Sequence, residues 1–309
     1  MENSDFIEQF VDKLCNKKCI TYEICPDKSA SIMPIITKIQ SAGLDKGIID
    51  GFVCTDSPLA RLKLHSGMAS IRLQQALQKP LICTISMRDR NSLALSAELL
   101  GLNDFDIRIF LALSGDPLKL GDQPQAKAVF EGNSLRILEL IAALNQGLDL
   151  NAGALQSAVK RIYGFSVINS YAKKMELLRK KMESKICANA LGLFTQPIYD
   201  IEVAKLLHEW LHSLNYQHNK RCVLMQGFFP ITSFKRALFL HQKIPDVFVP
   251  QLWLETLEKA SLKGTQYEKQ KGMEMSIKLF AQLYGYSPKI HFMNHNAVKN
   301  AKTILNSIQ

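Results

Sequence analysis

No apolar run in this 309-residue chain approaches the ~20 residues that a membrane helix requires, so a bilayer-spanning helix is excluded. The amino terminus, MENSDFIEQFVDKLCNKK, opens acidic and amphipathic rather than basic and then apolar. It does not resemble a secretory leader, and a cytoplasmic protein is expected. No Gly-rich loop follows an early strand-like run, which argues against an open dinucleotide-binding sheet. Cysteines are few and odd in number: Cys15, Cys19, Cys25, Cys54, Cys83, Cys187 and Cys222. Several lie inside apolar runs, the pattern of reduced, buried thiols. Cys15 and Cys19 have the spacing to share a helix face, but no second pair at zinc-like spacing follows, and no metal is expected. Basic residues cluster only at Arg179-Lys180-Lys181, so neither a nucleic-acid groove nor a membrane surface is indicated as a partner.

What is present is ordinary globular material, 47% hydrophobic and 21% charged, long enough for one large core. Lys and Arg exceed Asp and Glu, 38 against 28, giving a formal charge of +10. Such an excess aids solubility and draws in anionic small molecules or an acidic protein partner. Short apolar runs alternate with longer stretches of helical spacing. The strand candidates are CITYEIC (19–25), GIIDGFVC (47–54), PLICTIS (80–86), IRIFLAL (107–113), GFSVIN (164–169), ALGLFTQ (190–196), RCVLMQGFF (221–229) and KIHFMN (289–294). Between them lie helical segments such as NSLALSAELLG, with Asn91 placed to cap it and Gly101 to stop it. Two more, VPQLWLETLEKASLKG and KGMEMSIKLFAQLYG, fill the long gap before the last strand.

Eight strands that are continuously apolar and separated by helices predict a parallel sheet covered on both faces. The expected fold is α/β: a single (β/α)8 TIM barrel over residues 1–309, with an extra N-terminal helix and extra helices before the last strand. An open doubly wound sheet is the alternative. In a barrel, function resides at the carboxyl ends of the strands. Those ends carry Glu23, Thr55-Asp56, Arg88-Asp89-Arg90-Asn91, Gly115-Asp116, Asn169, Gln196 and Phe229. The segment RIFLALSGDPLKLGDQP shows the same pattern locally, an apolar strand that breaks on Ser114-Gly115-Asp116. Gly, Asp and Pro suit a turn for steric reasons alone. Four carboxylates, two arginines and three amides collected at one rim point further, to chemistry.

One other motif competes. In HEWLHSLNYQH, His208 and His212 lie four apart around Glu209, with His218 beyond, which is metalloprotease spacing. Val203, Leu206, Leu207, Trp210, Leu211 and Leu214 form the buried stripe of the same helix, however, and set it on the outer wall of a barrel.

Taken in order, TYEICP, TDSPLA, RDRNSLALSAELLG, LALSGDPLKLGDQPQAKAVF, LFTQPIYD and GFFPITSFKRALFLHQKIP resemble the methylenetetrahydrofolate reductase family. They are closest to its branch with an Arg-Asp-Arg-Asn motif, found also in homocysteine methyltransferase fusions. The resemblance runs from about residue 19 to residue 295. It implies a flavoprotein barrel with FAD across its mouth, a hydride passed from the reduced flavin to 5,10-methylenetetrahydrofolate, and 5-methyltetrahydrofolate as product for one-carbon metabolism and methionine biosynthesis. By the same resemblance Glu23 matches the proton donor, Asp116 the second acidic residue beside flavin and pterin, and Gln196 the amide that binds the pterin. Arg236 and Leu240 stand at substrate-binding positions, Arg236 where a relative has Gln and Leu240 where it has an aromatic. Ala297 stands where that relative has a substrate-binding Arg. Thr55, Thr84, Ser114, Gly115, Asp116, Phe130, Glu131 and Lys185 match cofactor-binding positions, Lys185 toward the pyrophosphate. Ser114 replaces an Arg of distant relatives, and Arg88 or Arg90 is expected to supply that charge. The electron donor is open between NADH, NADPH and a ferredoxin-like partner, as is free-standing, homo-oligomeric or hetero-oligomeric assembly. A folate- or flavin-binding subunit that depends on a partner is the alternative reading.

Overall fold

The computed structural model describes residues 5–244 and 246–308. Eight strands close into a parallel barrel in sequence order: β1 (Cys19–Ile24), β2 (Gly51–Cys54), β3 (Leu81–Ser86), β4 (Ile109–Leu113), β5 (Tyr163–Ile168), β6 (Gly192–Pro197), β7 (Val223–Phe228) and β8 (Lys289–Phe292). Closure is made by β1 against β8, with Thr21 opposite His291. Around the barrel lie α2 (Met33–Ala42), α3 (Ser66–Leu77), α4 (Ser92–Asp104), α5 (Ser134–Asn145), α6 (Met175–Cys187) and α7 (Ile201–His218), preceded by α1 (Phe6–Asn16). Three helices separate β7 from β8: α8 (Phe234–Lys243), α9 (Gln251–Ser261) and α10 (Thr265–Tyr286). Helix α11 (Val298–Leu305) follows the last strand. No helix among the described residues is long and apolar enough to cross a membrane.

The period-two alternation of each strand sorts its side chains. Ile20, Tyr22 and Ile24 of β1 pack outward into the core shared with the helices, whereas Cys19 belongs to the barrel interior. Thr21 and Glu23 therefore also face inward. Ile82, Leu111, Phe165, Phe194 and Met225 fill the same interior. Its lower end is plugged by α1, whose Ile7, Phe10, Val11 and Leu14 are buried against it. Phe10 stands so close to β2 that a Cβ on Gly51 would lie 2.3 Å from its ring. Lys289 caps the carboxyl end of α1 by donating to the carbonyls of Leu14 and Lys17 at 2.7 and 2.6 Å.

Two local expectations are corrected. Helix α4 starts where Asn91 predicts, with its Oδ1 accepting from Ala94 N at 2.9 Å, but runs through Gly101 to Asp104. Burial of Leu102 and Asn103 carries it one further turn, and a Cβ on Gly101 would meet nothing within 4 Å. Cys15 and Cys19 do not share a helix face, because α1 ends between them and Cys19 opens β1.

Candidate active site

At the carboxyl ends of the strands, inward register brings Glu23, Thr55, Thr84 and Gln196 to one mouth. Gln196 is displayed by an irregularity. The β6–β7 register shifts between Phe194 and Pro197, and Thr195 Oγ1 accepts from Gly227 N at 2.7 Å in place of a ladder bond. A Cβ on Gly227 would sit 2.2 Å from the Thr195 carbonyl oxygen, so only glycine allows this approach. The Gln196 amide makes no hydrogen bond with another described residue and is available to a ligand.

Glu23 is 19% exposed at its side chain, and its Oε2 lies 3.7 Å from Nε2 of His291. His291 is buried, its Nδ1 3.0 Å from Thr21 Oγ1 and its ring edge-on to Phe194. His295, in the loop after β8, stacks edge-on against Phe229 at 5.5 Å, and the Arg236 guanidinium lies 5.6 Å from the same ring. Burial pushes the His295 imidazole below its ordinary value. The Glu23 charge opposes this, and the Arg236 and Lys63 charges reinforce it. Asn296 holds this loop to β1, accepting from Cys25 N at 3.2 Å and donating to Cys25 O at 2.7 Å. Leu240 is not at the mouth but buried in the helix layer.

Asp116 lies one step outward, in the loop after β4, where its Oδ2 accepts from Leu59 N at 2.6 Å. Further along, Asp122 accepts from Leu62 N at 2.9 Å and pairs with Lys28 at 3.3 Å. This loop thus crosses onto the loops of β2 and β1 and covers the end of β3. Gly115 makes the crossing with φ +95°, and a Cβ there would lie 2.6 Å from Arg88 Cβ. Ser114 is exposed beside it.

The expected phosphate contacts are largely committed to protein partners. Arg88, 2% exposed, donates to both Asp89 oxygens at 2.9 Å and to Ser57 O at 3.0 Å. Arg90 pairs with Asp56 at 2.7 Å and with Glu98 at 2.7 Å. Burial opposes its charge, but those two carboxylates hold it firmly cationic. Phe130 donates its N–H to Met87 O at 3.0 Å, and Glu131 accepts from Ser92 N at 2.8 Å. Lys185 is turned under α6, where its Nζ donates to Val167 O. Burial lowers its pKa to about 8. The cations left exposed on the loops after β4 and β5 are Lys119, Lys127, Lys173 and Lys174, none paired with a carboxylate among the described residues.

His291, His295 and Thr21 were not among the sequence candidates. A polar residue at an inward position of the apolar run KIHFMN is the signal that marks His291. The histidines of α7 do not converge: His208 lies edge-on to Tyr286, and His218 pairs with Glu183 at 2.7 Å. No group of three or more His, Cys, Asp or Glu among the described residues is placed to hold a metal.

A closed parallel barrel with an acid, an amide and two imidazoles at the carboxyl ends of its strands is laid out as (β/α)8 enzymes are. The profile of the family described as Methylenetetrahydrofolate reductase matches residues 11–309, and the chain belongs to that family. Among solved structures, a Clostridium thermocellum protein that binds two copies of 5-methyl-5,6,7,8-tetrahydrofolic acid superposes with a TM-score of 0.63 at 16% identity, over 96% of this chain and 98% of that one. EDTA monooxygenase from Chelativorans sp. BNC1 superposes with a TM-score of 0.54 at 9% identity, over 93% and 92%. These likenesses show the fold. Comparison with curated proteins finds no match.

Proposed function

We propose that this chain binds a reduced folate at the barrel mouth and, with FAD, reduces 5,10-methylenetetrahydrofolate to 5-methyltetrahydrofolate. The observation that carries the reading is the placement, on the inward face of a barrel of this family, of both Glu23 and a Gln196 amide that makes no hydrogen bond with another described residue. The folate bound by the Clostridium thermocellum protein is consistent with it. The residues fit the ring half of a flavin: Thr55 and Thr84 are inward and polar, and the Thr84 hydroxyl makes no hydrogen bond with a described residue. Its diphosphate half would be held by Lys119, Lys127, Lys173 and Lys174, since Arg88, Arg90 and Lys185 are otherwise engaged. When bound, the flavin supplies the hydride equivalent.

The chain's own residues do the rest. The closed five-membered ring of the substrate must open to an iminium before it accepts hydride, and Glu23 delivers a proton to the departing nitrogen. Asp116, anchored through one oxygen to Leu59 N, leaves its other oxygen to stabilise the cationic iminium. Gln196 offers one donor and one acceptor to the mixed edge of the pterin. The Arg88-Asp89-Arg90-Asn91 motif further suggests the branch found in methyltransferase fusions.

A second reading, a folate-binding subunit without turnover, is favoured by the commitment of Arg88, Arg90 and Lys185 to protein partners. One experiment separates them. Purified protein is loaded with FAD, photoreduced without oxygen and mixed with 5,10-methylenetetrahydrofolate. Reoxidation of the flavin with formation of 5-methyltetrahydrofolate is expected; folate binding without flavin uptake selects the second reading.

A further inference from the structure

We propose that His291, held by Thr21, is a positioning residue that presents an Nε2–H to Glu23 and fixes its carboxylate toward the mouth. The mechanistic use rests on the reading of Glu23 as proton donor, while the orientation itself rests on geometry alone. Thr21 Oγ1 has two acceptors in range, His291 Nδ1 at 3.0 Å and Ile290 O at 3.5 Å. The ring tautomer separates two arrangements, and Nδ1–H to Oγ1 with the hydroxyl on Ile290 O is the alternative. In the proposed one the hydroxyl hydrogen goes to the nearer group, which makes Nδ1 the acceptor and puts the ring proton on Nε2. That nitrogen has one partner within reach among the described residues, Glu23 Oε2 at 3.7 Å. The spacing exceeds a direct N–H···O bond of about 2.7–3.2 Å, and a small rotation of the carboxylate closes it, as catalytic contacts tighten around bound substrate.

The ring has little freedom to do otherwise. Phe194 meets it edge-on at 5.2 Å, and His291 is 4% exposed with Thr21 at 0%. Burial also decides what the pair can do. With both residues buried away from the surface, the use of the imidazole is to orient Glu23 and to stabilise the anion left once the proton has gone. The other groups around Glu23 are Tyr22 on its own strand, Cys25 just past its end and His295 in the β8 loop, with Lys63 and Arg236 beyond. Tyr22 turns outward to Asn294, and His295 is held on Phe229. His291 is thus the inward-facing group beside the carboxylate that has its second nitrogen locked.

Three measurements on the full chain test this. Nitrogen-15 NMR of histidine-labelled protein at pH 8, with His291 assigned from His291→Gln, is expected to show the Nε2–H tautomer, and Thr21→Val is expected to erode that preference. An Nδ1–H tautomer in the unmutated protein overturns the proposal. The Glu23 carboxylate infrared band, identified by difference from Glu23→Gln, is expected to shift in both His291→Leu and Thr21→Val. The isosteric Thr21→Val keeps the test open where His291→Leu disturbs packing, and an unmoved band overturns the proposal. In turnover, His291→Leu is expected to lower kcat about tenfold or more with little change in KM, and His291→Gln, whose amide N–H replaces Nε2–H, to restore most of it. Full kcat in a folded His291→Leu overturns the proposal. A shifted band in a protein that never reduces folate would sink the reductase reading and leave the positioning role standing.

Discussion

The two ends of the barrel are built on opposite terms. At the lower end, α1 closes the interior with Phe10, Ile7, Val11 and Leu14, and its polar contacts are satisfied within the protein, Lys13 on Asp50 at 2.5 Å and Lys289 on the α1 carbonyls. Four of the left-handed residues there, Gly43, Gln78, Asn189 and Asn219, terminate α2, α3, α6 and α7, an inexpensive use of positive φ, while Asp106, Gly147 and Ala152 turn the chain before β4 and β5. At the upper end, besides Gly115, six non-glycine residues are left-handed: Ser57, Leu59, Ala60, Phe130, His295 and Asn296. Each costs about 1–2 kcal/mol and persists where side chains over-determine it. Asp116 seizes the Leu59 N–H, and Asn296 is tied twice to Cys25. One end is arranged to stay shut. The other holds strained loops so that Glu23, Gln196 and His295 converge.

That contrast predicts mutations that damage one end alone. Glu23→Gln, which keeps shape and removes the proton, should lower folate reduction by about 10²–10⁴-fold in single turnover with unchanged melting temperature. At the other end, Phe10→Ala should cost about 3–5 kcal/mol in denaturant unfolding and leave folate binding intact once the protein is folded. Lys185 tests the wall between them. Burial holds its folded pKa near 8, below the ordinary 10.5, so the folded state carries a penalty below pH 8 that fades as pH rises toward 10.5. Lys185→Met should therefore melt higher than the parent at pH 7, by an advantage on the order of a few kcal/mol that shrinks across that window. The smallest effect is local: Asp116→Ala should cost about 1–3 kcal/mol and speed hydrogen exchange at Leu59, whereas Asp116→Asn retains an acceptor and should lose turnover with the loop in place.

Much of this architecture was legible in the chain. All eight predicted runs hold their strand within their own bounds or miss it by a single residue, because continuous apolarity marks a strand covered on both faces. GIIDGFVC overreaches its strand the most, since only Gly51–Cys54 joins the ladder while Asp50 stays outside it to meet Lys13 and Ile20 N. Helix α8 lies inside the long gap before β8, and its start is marked by the Ser233 cap, whose Oγ accepts from Arg236 N at 3.3 Å. The candidate carboxylates and amide were found because they sit at strand ends. The arginines were harder: in sequence Arg88 and Arg90 are two free cations at a rim, yet in space Asp89, Asp56 and Glu98 neutralise them. His291 lies 268 positions after Glu23, and no local pattern joins them.

By itself the sequence determined the alternation of strands and helices, the strand-end placement of Glu23 and Gln196, and the membership of a family whose motifs recur in order. Those properties are local: apolar spacing, turn chemistry and short motifs act over a few residues. Only the tertiary structure decided which charges are spent on neighbours, which loop covers β3, and that Thr21, His291 and Glu23 meet where β1 closes on β8. Such contacts depend on barrel closure, which pairs the first strand with the last through the twist and register of the whole sheet.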